Sequence, residues 1–301
     1  MVYPISLISP AQNEETWLEI STRSVIHLVD EILFFDDNSV DRTREIAFLL
    51  SEEFPNFKII PCPEKIGRKR FSSILNKGFE LARNEWVMHW APDFIAYTEG
   101  EHAIQLLFDK VLYGNEWDWD AIVFSAPNVS GDIFHYSVDP LGSGLSEFAG
   151  PEPYIWRKGH FNIFPGENYP DQREPLKETR YCWTHDNHHF LHMNTLKPLE
   201  KLAYRKQMCN YLIRSDNFSN KTYWEWYAIE IVGLLEPKKD EIEEIRVKVI
   251  ESIKQNPLKF APYDFEKWGE HPQILMESEV WKNFNIRETE TGETFLDYFL
   301  E

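Results

Sequence analysis

The first 130 residues alternate short apolar runs with amphipathic stretches, and this alternation limits the possible folds more than any other feature. Short apolar runs are typical of buried strands, whereas apolar residues at every third or fourth position are typical of helices. A chain in which strands and helices take turns forms a mostly parallel sheet covered by helices. We predict strands at residues 5–9, 31–35, 57–60, 86–90 and 121–125, and helices at 14–29, 41–54, 71–82 and 102–112.

The pattern changes beyond residue 130. Residues 129–178 are rich in glycine, proline and aromatic side chains, and the chain beyond residue 197 becomes largely helical, with a charged amphipathic helix at 238–254. A chain of 301 residues is long enough to bury one large core or two smaller ones. We expect the two parts to share one sheet rather than to form separate domains.

Charge and composition exclude several classes of protein. The chain has 31 Lys and Arg residues against 50 Asp and Glu, a net charge of −19, whereas binding to nucleic acid requires positive charge. No run approaches the roughly 20 apolar residues of a membrane-spanning helix, and the three widely spaced cysteines do not indicate a disulfide framework. We therefore expect a cytoplasmic protein, with peripheral membrane attachment left open, that has no nucleic-acid partner and no integral membrane segment.

The most informative motif is FFDDNSVDRT, residues 34–43. An apolar strand there ends in Asp36 and Asp37, and the polar residues after them can cap the following helix. Ligands of open α/β sheets bind beyond the carboxyl ends of the strands. Two carboxylates at that place can accept hydrogen bonds from a base or a ribose, and helix capping does not account for them. We therefore predict that Asp36 and Asp37 bind a nucleoside.

Two more segments reach the same edge of the predicted sheet. PAQNEE, residues 10–15, follows the first strand, and WVMHWAPDFIAY, residues 86–97, contains the fourth. The second segment delivers Asp93 to the edge, where a carboxylate beside a phosphorylated ligand is a natural ligand of Mg²⁺ or Mn²⁺. Taken alone, each segment is more often explained by a role in forming turns.

A basic segment precedes the helix predicted at residues 71–82. It places four cations within six residues of an acidic chain: Lys65, Arg68, Lys69 and Arg70. Gly67 lies among them and allows the backbone to approach a ligand closely. Such a cluster suits a diphosphate, although a solvated basic loop would have the same composition.

These motifs, in this order, resemble the family 2 glycosyltransferases with the GT-A fold. The resemblance is carried by P-A-x-N-E at 10–14, D-D-x-S-x-D-x-T at 36–43, a basic segment with Asn76 and Gly78, and a strand ending in Asp; it covers roughly residues 4–125. It implies an α/β, GT-A-like fold, which is a mostly parallel twisted sheet flanked by helices, with a helical C-terminal extension.

The same resemblance implies a division of the chain and an activity. Residues 1–130 would form the nucleotide-sugar-binding half, residues 131–235 the acceptor and metal-completing half of the same domain, and residues 236–301 the C-terminal helical extension. The activity would be the transfer of a sugar from a nucleotide-diphospho-sugar donor, a UDP- or GDP-sugar, to a hydroxyl of a saccharide or other acceptor. The transfer would invert the anomeric carbon with the help of Mg²⁺ or Mn²⁺, and polysaccharide biosynthesis is the expected setting.

Individual residues follow from their positions in the motifs of the family. The nucleotide-binding residues would be Pro10, Ala11, Asn13, Glu14, Asp36, Asp37, Gly67, Arg70 and Asn76. Asp93 would be the metal-binding last Asp of the D-x-D motif. The triplet here is Ala91-Pro92-Asp93, so the first Asp is missing. This departure leaves a non-catalytic nucleotide-sugar-binding protein as an alternative.

Four of the ten histidines lie within one segment of twenty residues: His185, His188, His189 and His192. On a helix they would share one face and could bind zinc, which gives a metal hydrolase as another alternative, but the HExxH motif is missing. A strand ending in His192, followed by a basic turn and a helix, is similar to a segment of related transferases in which such a His completes the metal shell. We predict His192 as the second metal ligand, with a packing role as the alternative.

The catalytic base must be a carboxylate close to the acceptor hydroxyl. The order of segments in the family places it after the fourth predicted strand and before the late His, where Asp171, Glu174 and Asp186 qualify, with Glu147 and Glu152 behind them. We predict Asp171 and Asp186, although most acidic residues in such a loop are solvated at the surface. A dinucleotide oxidoreductase is disfavoured, because no GxGxxG follows the first strand.

Overall fold

A seven-stranded sheet runs through the centre of the protein in the computed structural model. The structure describes residues 1–62, 70–114, 119–137, 148–164, 172–184, 188–193, 195–214 and 221–298. Its strands are β1 (Tyr3–Ala11), β2 (Val29–Asp36), β3 (Phe57–Ile60), β4 (Trp86–His89), β5 (Phe94–Ala96), β6 (Ala121–Pro127), β7 (His135–Ser137), β8 (Phe148–Arg157), β9 (Phe161–Phe164), β10 (Gln172–Pro175), β11 (Tyr181–Thr184), β12 (Phe190–His192), β13 (Phe260–Pro262), β14 (Phe284–Glu288) and β15 (Thr294–Tyr298). Its α-helices are α1 (Leu18–Val25), α2 (Thr43–Glu53), α3 (Arg70–Leu81), α4 (Ile104–Tyr113), α5 (Leu199–Arg214), α6 (Tyr223–Glu230), α7 (Lys239–Gln255), α8 (Phe265–Trp268) and α9 (Gln273–Glu277).

The strands of the central sheet follow the order β11-β6-β8-β4-β1-β2-β3. β1 pairs in parallel with β2 and with β4, and β2 pairs in parallel with β3. β8 is antiparallel to both β4 and β6, while β11 is parallel to β6. The sheet is therefore mostly parallel, and the predicted α/β class is confirmed.

Both faces of the sheet are buried, which explains the continuous apolar runs of its strands. Along β2, Ile32 and Phe34 pack into a core with side chains of α1 and α2 on one face, whereas Leu33 and Phe35 pack with side chains of α3 on the other. The residues alternate because successive side chains of a strand point to opposite faces. The carboxyl ends of β1, β2 and β4 meet at one edge, so the polar residues that follow these strands lie near one another.

β8 is one of the two strands of the central sheet, the other being β11, that the sequence pattern did not predict. It lies within residues 129–178, and its sequence, FAGPEPYIWR, has the glycine and prolines of a loop. It is nevertheless inserted between β4 and β6, because Ile155 is fully buried and pairs with Met88 on one side and Ile122 on the other.

The C-terminal part of the chain contains strands as well as helices. α7 matches the helix predicted at residues 238–254, but β13 and a hairpin of β14 and β15 follow it. Gly292, with a φ of 79°, lies in the turn of that hairpin, where glycine adopts the left-handed conformation without strain. Trp17, Trp268 and Phe284 belong to a second core that packs this part against the segment after β1.

No helix among the described residues has both the length and the hydropathy that crossing a bilayer requires. Even α7, with 17 residues, carries charged side chains along its length.

Candidate functional site

The loops that follow β1 and β2 are joined by hydrogen bonds at the edge of the sheet. The backbone N–H of Asp37 donates to the carbonyl of Ala11 (2.7 Å), and that of Asn13 donates to Ser39 Oγ (2.9 Å). In return, Asn13 Oδ1 accepts from the N–H of Val40 (2.8 Å). Asn13 has a φ of 55°, a conformation that asparagine adopts more readily than most residues. PAQNEE and DDNSVDRT therefore form one interlocked structure.

A second set of hydrogen bonds explains the end of DDNSVDRT. Thr43 Oγ1 accepts from the N–H of Glu14 (2.7 Å), and the Asp41 carboxylate accepts from the N–H of Glu15 (3.2 Å) and of Thr43 (3.0 Å). Thr43 is fully buried. Asp41 and Thr43 thus hold the neighbouring loop as well as the beginning of α2, so helix capping alone does not explain them.

Asp36 and Asp37 lie at the tip of β2, where the sequence places them. The Asp36 carboxylate accepts from the N–H of Ser39 (3.1 Å) and forms an ion pair with Arg44. The carbonyl of Asp37 accepts from Nε2 of Gln12 (2.9 Å), which ties it to the first loop. Both residues are partly exposed, so a ligand can reach them. Their contact with a nucleoside stays a prediction.

Two predicted metal ligands lie side by side next to this edge. Asp93 follows β4 and is 3 % exposed, and His192 ends β12. The antiparallel pairing of β12 with β5 brings His192 Nε2 to 3.2 Å from Asp93 Oδ2. The N–H of Met193 also donates to the carbonyl of Asp93 (2.9 Å), which fixes the two segments together.

Two lysines that the sequence motifs did not assign complete a buried charged cluster. Lys197 Nζ lies 2.8 Å from Asp93 Oδ2, and 2.8 and 3.0 Å from the two carboxylate oxygens of Glu14. Lys201 Nζ lies 3.1 Å from Glu14 Oε1 and donates to the carbonyl of Gln12. Burial lowers the pKa of Lys201, and the charge of Glu14 opposes that shift. The members of this cluster, called the lysine cluster below, are Glu14, Asp93, His192, Lys197 and Lys201.

The charges of the lysine cluster balance within it. Its two carboxylates contact its two ammonium groups, and the side chain of Lys197 is only 4 % exposed. A buried charge whose partner is removed is strongly destabilising, so each ammonium depends on these carboxylates. The sequence LKPLEKL, residues 196–202, shows a basic turn and the start of a helix, but no local signal shows that its lysines are buried.

The lysine cluster fits a divalent cation poorly. Among the residues that the structure describes, no group of three or more His, Cys, Asp or Glu side chains could hold a metal ion. Asp93 Oδ2 already contacts the ammonium of Lys197, which would lie beside any cation bound by Asp93 and His192. The ammonium and a cation bound to the same carboxylate would repel each other strongly in a buried site. The predicted ligands are in place, but their immediate neighbour is an ammonium.

His188 and His189 do not lie on a helix and His192 lies on the strand β12, so these three do not share the helical face on which the zinc alternative depends. His188 Nδ1 lies 3.1 Å from the carbonyl oxygen of Ser125, and His189 Nδ1 lies 3.2 Å from that of His102. Burial lowers the pKa of His189 to about 4, so its imidazole is neutral and packs inside the protein. His185 lies outside the described residues.

Asn76 lies on α3 and pairs with the backbone of β9. Its Nδ2 donates to the carbonyl of Ile163 (2.7 Å), and its Oδ1 accepts from the N–H of the same residue (2.9 Å). A nucleotide-binding role for Asn76 stays a prediction. Pro10 and Ala11 are the buried last residues of β1, and Glu174 is exposed on β10. Outside the described residues lie Gly67, Glu147, Asp171 and Asp186, together with the side chains of Arg70 and Glu152.

Comparison with known proteins supports the family suggested by the motifs. Residues 6–99 match the family described as Glycosyl transferase family 2. A search of curated proteins gave no match.

Among solved structures, the chain is similar to S. aureus TarS 1-349 in complex with UDP (14 % identity, 99 % of this chain and 97 % of that one, TM-score 0.44). It is also similar to glucosyl-3-phosphoglycerate synthase from Mycobacterium tuberculosis in complex with phosphoglyceric acid (15 %, 71 % and 80 %, TM-score 0.43). A third is the mannosyltransferase PcManGT from Pyrobaculum calidifontis in complex with GDP-Man and Mn²⁺ (11 %, 84 % and 73 %, TM-score 0.40). The match to glycosyl transferase family 2 therefore lies in residues 6–99, which hold β1, β2, β4 and Asp93.

Proposed function

We propose that the protein is a glycosyltransferase that moves a sugar from a nucleotide-diphospho-sugar to an acceptor hydroxyl. One observation carries the proposal: the segment that matches the family contains the interlocked loops after β1 and β2, and a buried pair of ammonium groups lies directly beside them. A nucleoside needs hydrogen-bonding groups such as the carboxylates after β2, and the diphosphate attached to it needs ammonium groups next to them.

The donor would bind with its nucleoside at the tip of β2. The carboxylates of Asp36 and Asp37 can accept hydrogen bonds from a base N–H or from ribose hydroxyls, and the loop that contains Asn13 forms the other wall of this edge. Both UDP- and GDP-sugars belong to the proposal.

Transfer leaves negative charge on the departing diphosphate, and the site has to stabilise that charge as it develops. A divalent cation would supply charge stabilisation as a Lewis acid. Asp93 and His192 are the residues predicted to hold it, but the ammonium of Lys197 at Asp93 opposes that arrangement. The lysine cluster itself places two ammonium groups here.

The acceptor side of the proposal is an inverting transfer, in which a carboxylate removes the proton of the attacking hydroxyl. Asp171 and Asp186 remain the predicted bases. Inversion would follow from a single displacement at the anomeric carbon.

The test is a binding and turnover experiment on the whole chain. Isothermal titration with UDP and GDP should show binding to the wild type, and the protein should release nucleoside diphosphate from a UDP- or GDP-sugar. A hydrogen bond to a charged group is worth about 1.5–3 kcal/mol, so Asp37→Asn should weaken binding roughly tenfold or more. Asp240→Asn, on the exposed beginning of α7, is the matched control and should bind as the wild type does.

Two results would contradict the proposal. Equal affinities of wild type and Asp37→Asn would show that the nucleoside lies elsewhere. Binding of a nucleotide sugar without release of nucleoside diphosphate would favour the non-catalytic binding protein, which Ala91 in place of the first Asp of the D-x-D motif supports.

A further inference from the structure

We propose that Lys197 and Lys201 supply the positive charge for the leaving diphosphate, and that this transferase needs no divalent metal. The inference rests on the proposed function, because it concerns the donor of that reaction. It replaces the metal predicted from the sequence, and the reasons lie in the contacts of Asp93 and Glu14.

Lys197 contacts the carboxylate oxygen that a metal would need. Its Nζ lies 2.8 Å from Asp93 Oδ2, and His192 Nε2 lies 3.2 Å from the same oxygen. The triplet before β5 lacks the first carboxylate of D-x-D, because Ala91 stands there. Compared with a metal site that has the complete D-x-D motif, this site lacks one carboxylate and contains a buried ammonium. Both differences favour a site built around an ammonium group.

Lys201 links the lysine cluster to the nucleoside-binding edge. It donates to the carbonyl of Gln12, and Nε2 of Gln12 donates to the carbonyl of Asp37 (2.9 Å). The side chain of Lys201 is 15 % exposed, against 4 % for Lys197. A diphosphate attached to a nucleoside at Asp37 would therefore meet Lys201 first.

Glu14 is the anion that would share the two ammonium groups with the diphosphate. Its carboxylate contacts both ammonium groups, at 2.8 and 3.0 Å for Lys197 and at 3.1 Å for Lys201. An ammonium has three donors, which can be shared between a carboxylate and a phosphate oxygen. Binding of the donor would add a phosphate oxygen to the partners of the ammonium groups, so neither an ammonium nor the Glu14 carboxylate is left buried without a partner.

The transfer balances without a further reactant. A bond forms between the acceptor oxygen and the anomeric carbon while the bond from that carbon to the diphosphate oxygen breaks. The electron pair of the broken bond stays on the diphosphate, whose new negative charge lies next to the ammonium groups. The acceptor proton passes to a carboxylate base.

The experiment compares metal-depleted protein in excess EDTA with the same protein in millimolar Mn²⁺. Binding of UDP, GDP and the free nucleosides is measured by isothermal titration, and release of nucleoside diphosphate from UDP- and GDP-sugars is measured in parallel. We expect the same dissociation constants and the same turnover in both buffers.

Variants of Lys201 assign the effect to the lysine cluster. Lys201→Met should weaken diphosphate binding at least tenfold and leave nucleoside binding unchanged, Lys201→Arg should retain most of the affinity, and Lys254→Met, on the exposed end of α7, should behave as the wild type. Far-ultraviolet circular dichroism confirms that each variant is folded. Lys201 is used because it is less buried than Lys197. An equal loss of nucleoside and diphosphate binding would point to a folding defect rather than to a lost phosphate contact, and that result would overturn the assignment.

The results distinguish a failure of the metal-independence inference from a failure of the proposed glycosyltransferase activity. Binding or turnover that disappears in EDTA and returns with Mn²⁺ overturns the inference and leaves the glycosyltransferase standing. No binding of any nucleoside diphosphate in either buffer overturns both.

Discussion

Gly78 is the residue at which the packing of α3 on the sheet can be tested most directly. It lies on α3 and faces β1, and a Cβ added there would lie 2.2 Å from Ile8 Cγ2 and 3.2 Å from Phe35 Cε2. Ile8 and Phe35 are both fully buried on neighbouring central strands. A distance of 2.2 Å is far below van der Waals contact, so either the helix or the strand would have to move.

The magnitude of Gly78→Ala follows from two opposing effects. Alanine is more favourable than glycine within a helix by about 1 kcal/mol. Overpacking of a filled core costs about 1–3 kcal/mol, and the upper part of that range applies because neither neighbour is at a surface. We expect the free energy of unfolding to fall by about 1–2 kcal/mol, with a lower melting temperature, at about 2–4 °C per kcal/mol for domains of 150–250 residues.

The assay is urea unfolding followed by circular dichroism, with Ser73→Ala on the same helix as the control. Ile8→Ala alone should cost about 2–5 kcal/mol because it leaves a cavity. In the double variant the new methyl group occupies part of that cavity, so the two losses should not add, with a coupling of about 1–2 kcal/mol. A stabilised Gly78→Ala protein, or strictly additive losses, would refute this account of the packing.

Three further predictions concern single side chains. Burial raises the pKa of Glu31, but the hydrogen bonds from the Arg83 N–H, Lys58 and Ser6 outweigh burial and hold that pKa below its usual value of 4.5. Its contribution to the free energy of unfolding is therefore complete above pH 4.5 and is lost as the pH falls through the lower folded pKa, so Glu31→Gln should flatten the acid side of a curve of stability against pH. Asn76→Ala removes both hydrogen bonds to Ile163 and should cost about 1–3 kcal/mol in urea unfolding, with little change if these bonds do not hold α3 to β9. Lys197→Ala leaves Glu14, Asp93 and His192 without their central cation, so it should bind Mn²⁺ in isothermal titration where the wild type does not; equal binding by both proteins would contradict this.

The first half of the fold can be predicted from the sequence because its signals are local. Strands buried on both faces have continuous apolar sequences, and the helices between them have an apolar face. The predicted strand at residues 57–60 coincides with β3, whereas the helix predicted at 14–29 is longer than α1. Val29 explains the difference: its apolar side chain fits the helical spacing, but it begins β2 and pairs with Tyr3.

β8 and the C-terminal hairpin could not be predicted in the same way. β8 owes its place to pairing with β4 and β6, and that pairing is a property of the assembled sheet rather than of its own sequence, which contains two prolines. The hairpin of β14 and β15 has a local signal, since Gly292 lies in a polar turn between two alternating segments. That signal was hidden by the charged composition of the region, which favours an exposed helix.

The residues of the candidate site likewise fall into those that the sequence predicts and those that it does not. Asp36, Asp37 and Asp93 follow strands, so the topology of a parallel sheet is enough to bring them to one edge. Lys197 and Lys201 reach the site from a turn and a helix that lie more than half the chain away from Glu14. A lysine in a turn is exposed in most proteins, and only the assembled structure shows that these two are not.

The lysine cluster is better explained by its use than by stability. Replacing a buried ion pair as a whole by apolar side chains is often neutral or stabilising, whereas removing one partner costs about 3–5 kcal/mol. Four balanced charges beside the nucleoside-binding edge therefore add little to the folded state that apolar residues could not supply. They do hold two ammonium groups in fixed positions within an acidic protein whose net charge of −19 would otherwise repel a diphosphate. Because Glu14 contacts both lysines and each ammonium has three donors, a phosphate oxygen can join Glu14 and leave again without leaving a cation or the carboxylate unpaired, as a site that must bind and release a diphosphate requires.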